Sequence, residues 1–254
     1  NPTDPEDIFV TSTCVIMLSV PCRISEVMSL HVNCEVYEKR RDGSEAYGIR
    51  FSPAKGAAPQ IKWVPSTMVS LAQEAIKRLK TMTAEARKIA SWYESNTDRF
   101  YRHTDCPAVE DDVYLTIQQR EQAIGYVVNA FVRNKISTLS GMHKELIKKL
   151  PKDFPYFDQD RGIKFSQALF CLQYNQIAPR QKTSKVQIYR PDAYNLLERV
   201  SRVQEGRDSN FFDKHNYKNS DGTSIKLTTH QFRRLLNTMA QRGGLSQIEI
   251  ARWI

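Results

Sequence analysis

LTTHQFRRLLNTMAQRGGLSQIEIARWI, residues Leu227 to Ile254, reads as two helices joined by a tight break, and this reading decides the fold. Thr228 or Thr229 offers a side-chain oxygen to cap the first helix. Phe232, Leu235, Leu236 and Met239 recur at helical spacing and predict its apolar face. Gly243 and Gly244 end it, because glycine takes the left-handed conformation that a helix C-terminus uses. Ser246 and Glu249 form a capping box for the second helix. His230 and Arg233 are three apart, so they project from one face of the first helix. An arginine fork suits phosphate oxygens, and an imidazole can donate a hydrogen bond or move a proton. On its own, H-x-x-R reads equally well as a solvated pair.

Two further stretches carry chemistry of the same kind. Residues 15 to 36, VIMLSVPCRISEVMSLHVNCEV, run from an apolar helix through a turn to Arg23, followed by Ser25, Glu26, Leu30 and Glu35. Glu26 lies one turn from Arg23, where a carboxylate would hold the guanidinium in place. Residues 47 to 65, YGIRFSPAKGAAPQIKWVP, predict a β-hairpin, with two short β-rich runs flanking the turn-rich Pro53 to Pro59. Lys55 falls where the first run meets the turn, and Lys62 falls two residues before Val64-Pro65. A lysine at a hairpin tip is ordinarily solvated, so neither carries weight alone.

Taken in order, these stretches resemble the catalytic domain of the tyrosine recombinase (phage integrase) family. The run T-x-H-x-x-R-x-x-x-x-T matches one box of that family, and Arg23, Ser25, Glu26 and Leu30 match its R-x-S-E-x-x-x-L box, with Val20-Pro21-Cys22 replacing the usual turn. Lys55 and Val64-Pro65 match the hairpin, leaving Lys62 as the competing lysine. The resemblance covers about residues 5 to 80 and 222 to 254. It implies an α+β, mainly α-helical domain with a small antiparallel hairpin or sheet. Arg23 and His230 are 207 positions apart (230 − 23), which is long for the family, so residues 93–215 are expected to form a helical insertion within a domain of 1–254.

The implied chemistry is phosphoryl transfer on double-stranded DNA through a 3′-phosphotyrosyl link. Arg23 and Arg233 would clamp the non-bridging oxygens, Lys55 would protonate the leaving 5′-oxygen, His230 would assist proton transfer, and Glu26 would order the site. Neither metal nor cofactor is implied. The family's nucleophilic tyrosine follows the segment matching Ile248 to Ile254, so the resemblance transfers it to no residue here; the chain is expected to be a catalytic-domain fragment. A type IB topoisomerase uses a similar residue set, and a non-catalytic DNA-binding relative or a helical scaffold are further alternatives.

Composition narrows the classes. Lys and Arg total 37 against 28 Asp and Glu, a net charge of +9 that suits a polyanion, and equally an ordinary basic surface. No apolar run reaches the roughly 18 residues of a membrane span. Five scattered cysteines without a C-x-x-C pair argue for reduced thiols and against zinc. Reduced thiols fit a cytosolic protein without a membrane partner; the resemblance implies the bacterial cytoplasm or nucleoid and a homo-oligomer assembling on DNA.

The remaining chain predicts a helix over Pro5 to Ser19, served by Asp4 or Asp7, and a helix over 66 to 92 capped by Ser66. In the middle, Leu115 to Arg133, Gly141 to Leu150 and Lys164 to Tyr174 read as helical, and Asp153 to Gly162 as a loop. APRQKTS, residues 178 to 184, places Arg180 and Lys182 beside Lys185 without a nearby acid. These three, with Lys62, are the candidate phosphate contacts, although a solvated loop reads as well.

Overall fold

Asp4 opens the first helix, α1 (Pro5–Ser19), its carboxylate accepting the backbone N–H of Glu6 at 2.8 Å and of Asp7 at 3.3 Å. The computed structural model describes residues 2–52, 58–127, 137–201 and 210–244, which divide into two compact units. The first comprises Asn1–Met82 and Pro191–Ile254, the second Thr83–Arg190. The protein is mixed α and β, with small antiparallel sheets. Among the described residues no helix is long and apolar enough to cross a membrane.

In the first unit α1 is buried or half-buried along its whole length. Phe9, Val10, Ile16 and Met17 are buried together with Ser12, Thr13 and Ser19. The small polar residues are tolerated because Thr13 Oγ1 donates to the Phe9 carbonyl (2.6 Å) and Ser19 Oγ to that of Val15 (2.7 Å). Around α1 stand α2 (Ile24–Met28) and α3 (Val69–Met82), the latter burying Ala72, Ala75, Ile76 and Leu79. The sheet of this unit has the order β1 (Glu35–Lys39), β2 (Glu45–Phe51), β3 (Gln60–Trp63), all antiparallel. The predicted hairpin is therefore extended by a strand that the sequence reading passed over. Glu35 anchors that strand, accepting from Tyr47 Oη at 3.0 Å and from Lys80 Nζ at 2.5 Å. Gly48 is required where β2 meets β3, since a Cβ there would lie 2.7 Å from Ile61 Cγ2 and 2.8 Å from Trp63 Cε3.

The second unit contains α4 (Ala84–Ser95), α5 (Ile117–Ile124), α6 (Leu139–Lys148) and two short antiparallel pairs, β4 (Tyr156–Asp158) with β5 (Ile163–Lys164) and β6 (Leu172–Gln173) with β7 (Ile188–Tyr189). Three expectations are corrected here. The helix predicted over 66 to 92 breaks between Met82 and Ala84, and the units divide there. Lys164 to Tyr174 is not a helix: a strand, a 3₁₀ turn over Phe165–Gln167 and another strand occupy it. Phe165 is sealed, as are Ala168, Leu169, Phe170, Cys171 and Leu172, and that last continuous apolar run has no period from which to tell helix from strand. Asp153 to Gly162, read as a loop, contributes β4. The helix predicted from Leu115 stops at Gly125, which has φ +98°, and residues 128–136 lie outside the described ones.

The bounds of the second unit also differ from 93–215. Helices α7 (Ala193–Ser201), α8 (Phe211–Lys214) and α9 (Thr229–Arg242) belong with the first unit, where α7 and α9 contact α1. A charged clasp supports this return of the chain. Lys214 Nζ lies 2.7 Å from Asp7 Oδ1, His215 Nε2 is 2.9 Å from Asp7 Oδ2, and Arg199 Nε is 2.9 Å from Glu6 Oε1. Burial raises the Asp7 pKa, but Lys214 and His215 outweigh it and hold the carboxyl below its ordinary value of 3.8.

Removing this carboxylate takes from Lys214 its shortest ion pair and from His215 its acceptor. Asp7→Ala is therefore expected to lower stability at neutral pH by about 1–3 kcal/mol. Because the folded-state pKa is depressed, the contribution is present above the ordinary carboxylate value and is lost as pH falls through the folded one. Urea unfolding of both proteins should show a gap at neutral pH that narrows in acid; a gap independent of pH would contradict the clasp.

Candidate functional site

The turn Val20–Cys22 leaves α1 and is buried, and Arg23 follows it as the N-cap of α2, exposed to solvent. The backbone N–H of Arg23 donates to Glu26 Oε2 at 2.6 Å. Glu26 thus serves the helix N-terminus rather than the guanidinium, and among the described residues no ion pair joins the two side chains. This corrects the expected pairing. A carboxylate bonded to an unsatisfied N–H at a helix start is stabilised by both the bond and the helix dipole.

Helix α9 begins at the predicted cap. The Thr228 N–H donates to Gln231 Oε1 at 2.6 Å, and the helix ends before Gly244, which has φ +86°. Its buried face is Phe232, Leu236 and Ala240. Leu235 and Met239, predicted to share that face, are 48% and 59% exposed, because the i, i+4, i+8 row meets α1 and they lie off it. His230 is exposed and Arg233 half-buried, one turn further along. Ser246 and Glu249 lie outside the described residues, as does Lys55.

Lys62, expected to contact phosphate, is only 2% exposed. Its ammonium donates to the Pro21 carbonyl at 2.5 Å and stands over the Phe51 ring, 5.5 Å from the centroid. In this conformation it presents no charge to a ligand outside, which corrects the expected contact. Burial pushes its pKa below the usual lysine range; Glu26 and Cys22 oppose the shift, while Arg233 and Arg23 reinforce it. Burial likewise pushes the Cys22 thiol up to about 12, with Lys62, Glu26 and Arg233 as its charged neighbours. Lys62 is thus bonded to the buried turn, and Arg23, Glu26 and Arg233 all bear electrostatically on it. Cys22 was not singled out from the sequence, and the one available signal was its place beside Arg23.

Three cations and one carboxylate leave a net positive locus suited to an oxyanion. The exposed Arg23 and half-buried Arg233 supply planar donor forks, which match phosphate geometry. The Cys22 thiol, protonated and sealed, is no nucleophile there.

The other expected DNA contacts belong to the second unit. Arg180 and Lys182 are exposed in the turn after Ile177. Lys185 instead pairs with Asp105, Nζ to Oδ2 at 2.6 Å, so part of its charge is already balanced, by an acid distant in sequence. An open cleft of this unit is lined by Trp92, Arg99 and Arg102 but also by Glu110, Asp111 and Asp112, a poor surface for phosphate. Among the described residues, the grouping with metal-ligand spacing is Asp4, Glu6 and Asp7, whose carboxylates face Lys214, His215 and Arg199.

Comparison with protein-family models, with curated proteins and with solved structures gave no match to this chain.

Thiol chemistry reports on the seal around the turn. Cys14, Cys22 and Cys34 are each pushed up to about 12, whereas Cys106 is shifted less and is half-exposed. Iodoacetamide at mildly alkaline pH should label Cys106 first in the folded protein, and Cys22 only on unfolding. Early alkylation of Cys22, read by peptide mass mapping, would mean that the turn before Arg23 is open.

Proposed function

We propose that the protein acts on double-stranded DNA as a strand-transfer enzyme of the tyrosine-recombinase kind, making and resealing a 3′-phosphotyrosyl link. The observation that carries this reading is that Arg23 and Arg233, 210 positions apart in the chain (233 − 23), both bear electrostatically on Lys62, whose ammonium is bonded to the buried turn before Arg23. Few structural demands bring two arginines together, since their mutual repulsion must be offset; a bound phosphate offsets it.

In this reading the two guanidiniums clamp the non-bridging oxygens and stabilise the charge that grows on the pentacoordinate phosphorus. Charge stabilisation is the larger part of phosphoryl-transfer catalysis, so the clamp is the main contribution of these residues. His230, exposed on the same helix as Arg233, moves the nucleophile's proton. Lys55 protonates the departing 5′-oxygen. Glu26 holds the start of α2 and with it the direction of Arg23. Arg180 and Lys182 add contacts to the DNA backbone, which set position rather than sequence preference. The tyrosine nucleophile is assigned to none of the residues present. The enzyme would assemble as a homo-oligomer on its DNA, in the bacterial cytoplasm or nucleoid.

Binding is the first test. The 254-residue chain should retard duplex DNA with little sequence preference, and its affinity should fall steeply with salt as counterions are released. Salt-independent retardation, or none at low salt, would remove DNA as the partner. In a chain extended through the required tyrosine, Arg23→Ala and Arg233→Ala should leave binding nearly intact and slow cleavage about 10²- to 10³-fold. Normal cleavage by either variant once bound would refute the clamp. Site-to-site exchange against relaxation of any supercoiled plasmid separates a recombinase from a topoisomerase.

The acid has its own signature. A 5′-bridging phosphorothiolate leaves as a thiolate and needs no proton. Lys55→Ala should therefore be slow on ordinary DNA and near normal on the sulfur-substituted strand. A defect that sulfur does not rescue would make Lys55 a binding residue only.

A further inference from the structure

Strand β3 faces the opposite way from the one its residue types suggest. Ile61 is 37% exposed, while Lys62 is 2% exposed and Val64, two residues on, is 4% exposed. The register pairs Lys62 with Ile49, itself fully buried, so the lysine occupies a core position of the sheet. An ammonium there costs free energy unless its donors are met. They are met by the Pro21 carbonyl and by the face of Phe51.

That carbonyl belongs to the turn that delivers Arg23. One end of the turn is tied to α1, where the Val20 N–H donates to the Ile16 carbonyl at 3.3 Å. The other end is tied to α2, where the Val27 N–H donates to the Arg23 carbonyl at 3.1 Å. Between them lie Pro21 and Cys22, and Lys62 reaches across 41 residues of chain to hold the middle.

We propose that Lys62 is a positioning residue for the phosphate site described above: its buried ammonium holds the Pro21 carbonyl, fixes the turn, and so sets the direction in which Arg23 presents its guanidinium. The proposal rests on the reading of Arg23 and Arg233 as oxyanion ligands. It removes Lys62 from the set of proton donors and of DNA contacts, because a sealed ammonium bonded to a carbonyl reaches neither. It also accounts for the inverted strand, since only an inward side chain at position 62 meets that carbonyl.

The test uses the 254-residue chain and the arginine Nε–Hε signals in proton–nitrogen NMR. Lys62→Met keeps the length of the stem and removes the donor; Lys62→Arg restores a cationic donor. In phosphate-free buffer, the Arg23 signal of folded Lys62→Met should move to the averaged position of a free arginine, while that of Arg233 stays. Lys62→Arg should return the Arg23 signal towards its original place. On titration with inorganic phosphate, Lys62→Met should bind about tenfold more weakly than the unmodified chain, the scale of one charge-assisted hydrogen bond.

An Arg23 signal unmoved in Lys62→Met overturns the proposal, as does equal displacement of the Arg23 and Arg233 signals, which would mark a general loss of structure. Should Lys62→Met fail to fold, Lys62→Gln, with a donor on a shorter arm, is read by the same two criteria. The phosphate titration of the unmodified chain is a separate arm. If phosphate shifts neither arginine, the DNA reading fails, while the phosphate-free spectra still decide the role of Lys62.

Discussion

The first unit depends on one constraint: no residue of α1 is fully exposed. Phe9 and Ile16 share one direction and Val10 and Met17 another, and all are buried, while Ile8, Val15 and Leu18 on the far side are half-buried. A helix apolar on most sides must be covered on most sides. The first part of the chain supplies α2 and α3, and this is not enough. Helices α7 and α9, drawn from the far end of the sequence, complete the enclosure. The return has an electrostatic counterpart at the start of α1, where Asp7 and Glu6 receive Lys214, His215 and Arg199. The second unit, Thr83–Arg190, occupies the sequence between the two contributions.

Enclosing α1 has a consequence for chemistry. The turn at its C-terminal end is buried with it, Lys62 bonds to that turn, and charged residues from two further elements bear electrostatically on Lys62. Arg23 comes from the start of α2, Lys62 from β3 and Arg233 from α9. Glu26 offsets part of the positive charge while capping the helix. Bringing cations together costs free energy, and the structure does so beside a surface from which two guanidiniums remain accessible. Under the proposed function the ligand is a phosphate of DNA, whose approach the net charge of +9 would favour.

Much of the first unit was legible because its signals are local. Asp4 before Pro5, Thr228 before a periodic run, and glycines after Arg242 mark helix ends by hydrogen-bonding rules that act over a few residues. The second unit was less legible. Ala168 to Leu172 is apolar without a period, and β4 to β7 are each only two or three residues long. Strands so short are stabilised by the partner across the ladder and by burial, neither of which a single run of residues displays. The break after Met82 was hidden for a related reason: the helical pattern continues through it, and only the separation of two cores divides α3 from α4.

For the site, helical spacing placed His230 with Arg233 and Glu26 one turn from Arg23, while the order of the motifs, through the resemblance, was what singled these residues out. Which of these residues meet, and which lysine is sealed, depended on tertiary structure. Lys55 and Lys62 looked alike as hairpin lysines, and a strand has two faces that its sequence does not distinguish when Ile61 and Lys62 are neighbours. The choice was made by Val64 and Ile49, which enter the core and carry Lys62 in with them. Likewise Glu26 could have paired with a guanidinium or a backbone N–H, and the geometry of the turn before α2 gave it the N–H. Local sequence specifies periodicity and caps; the direction of a side chain in a strand, and the partner of a charge, follow from what the whole chain must bury.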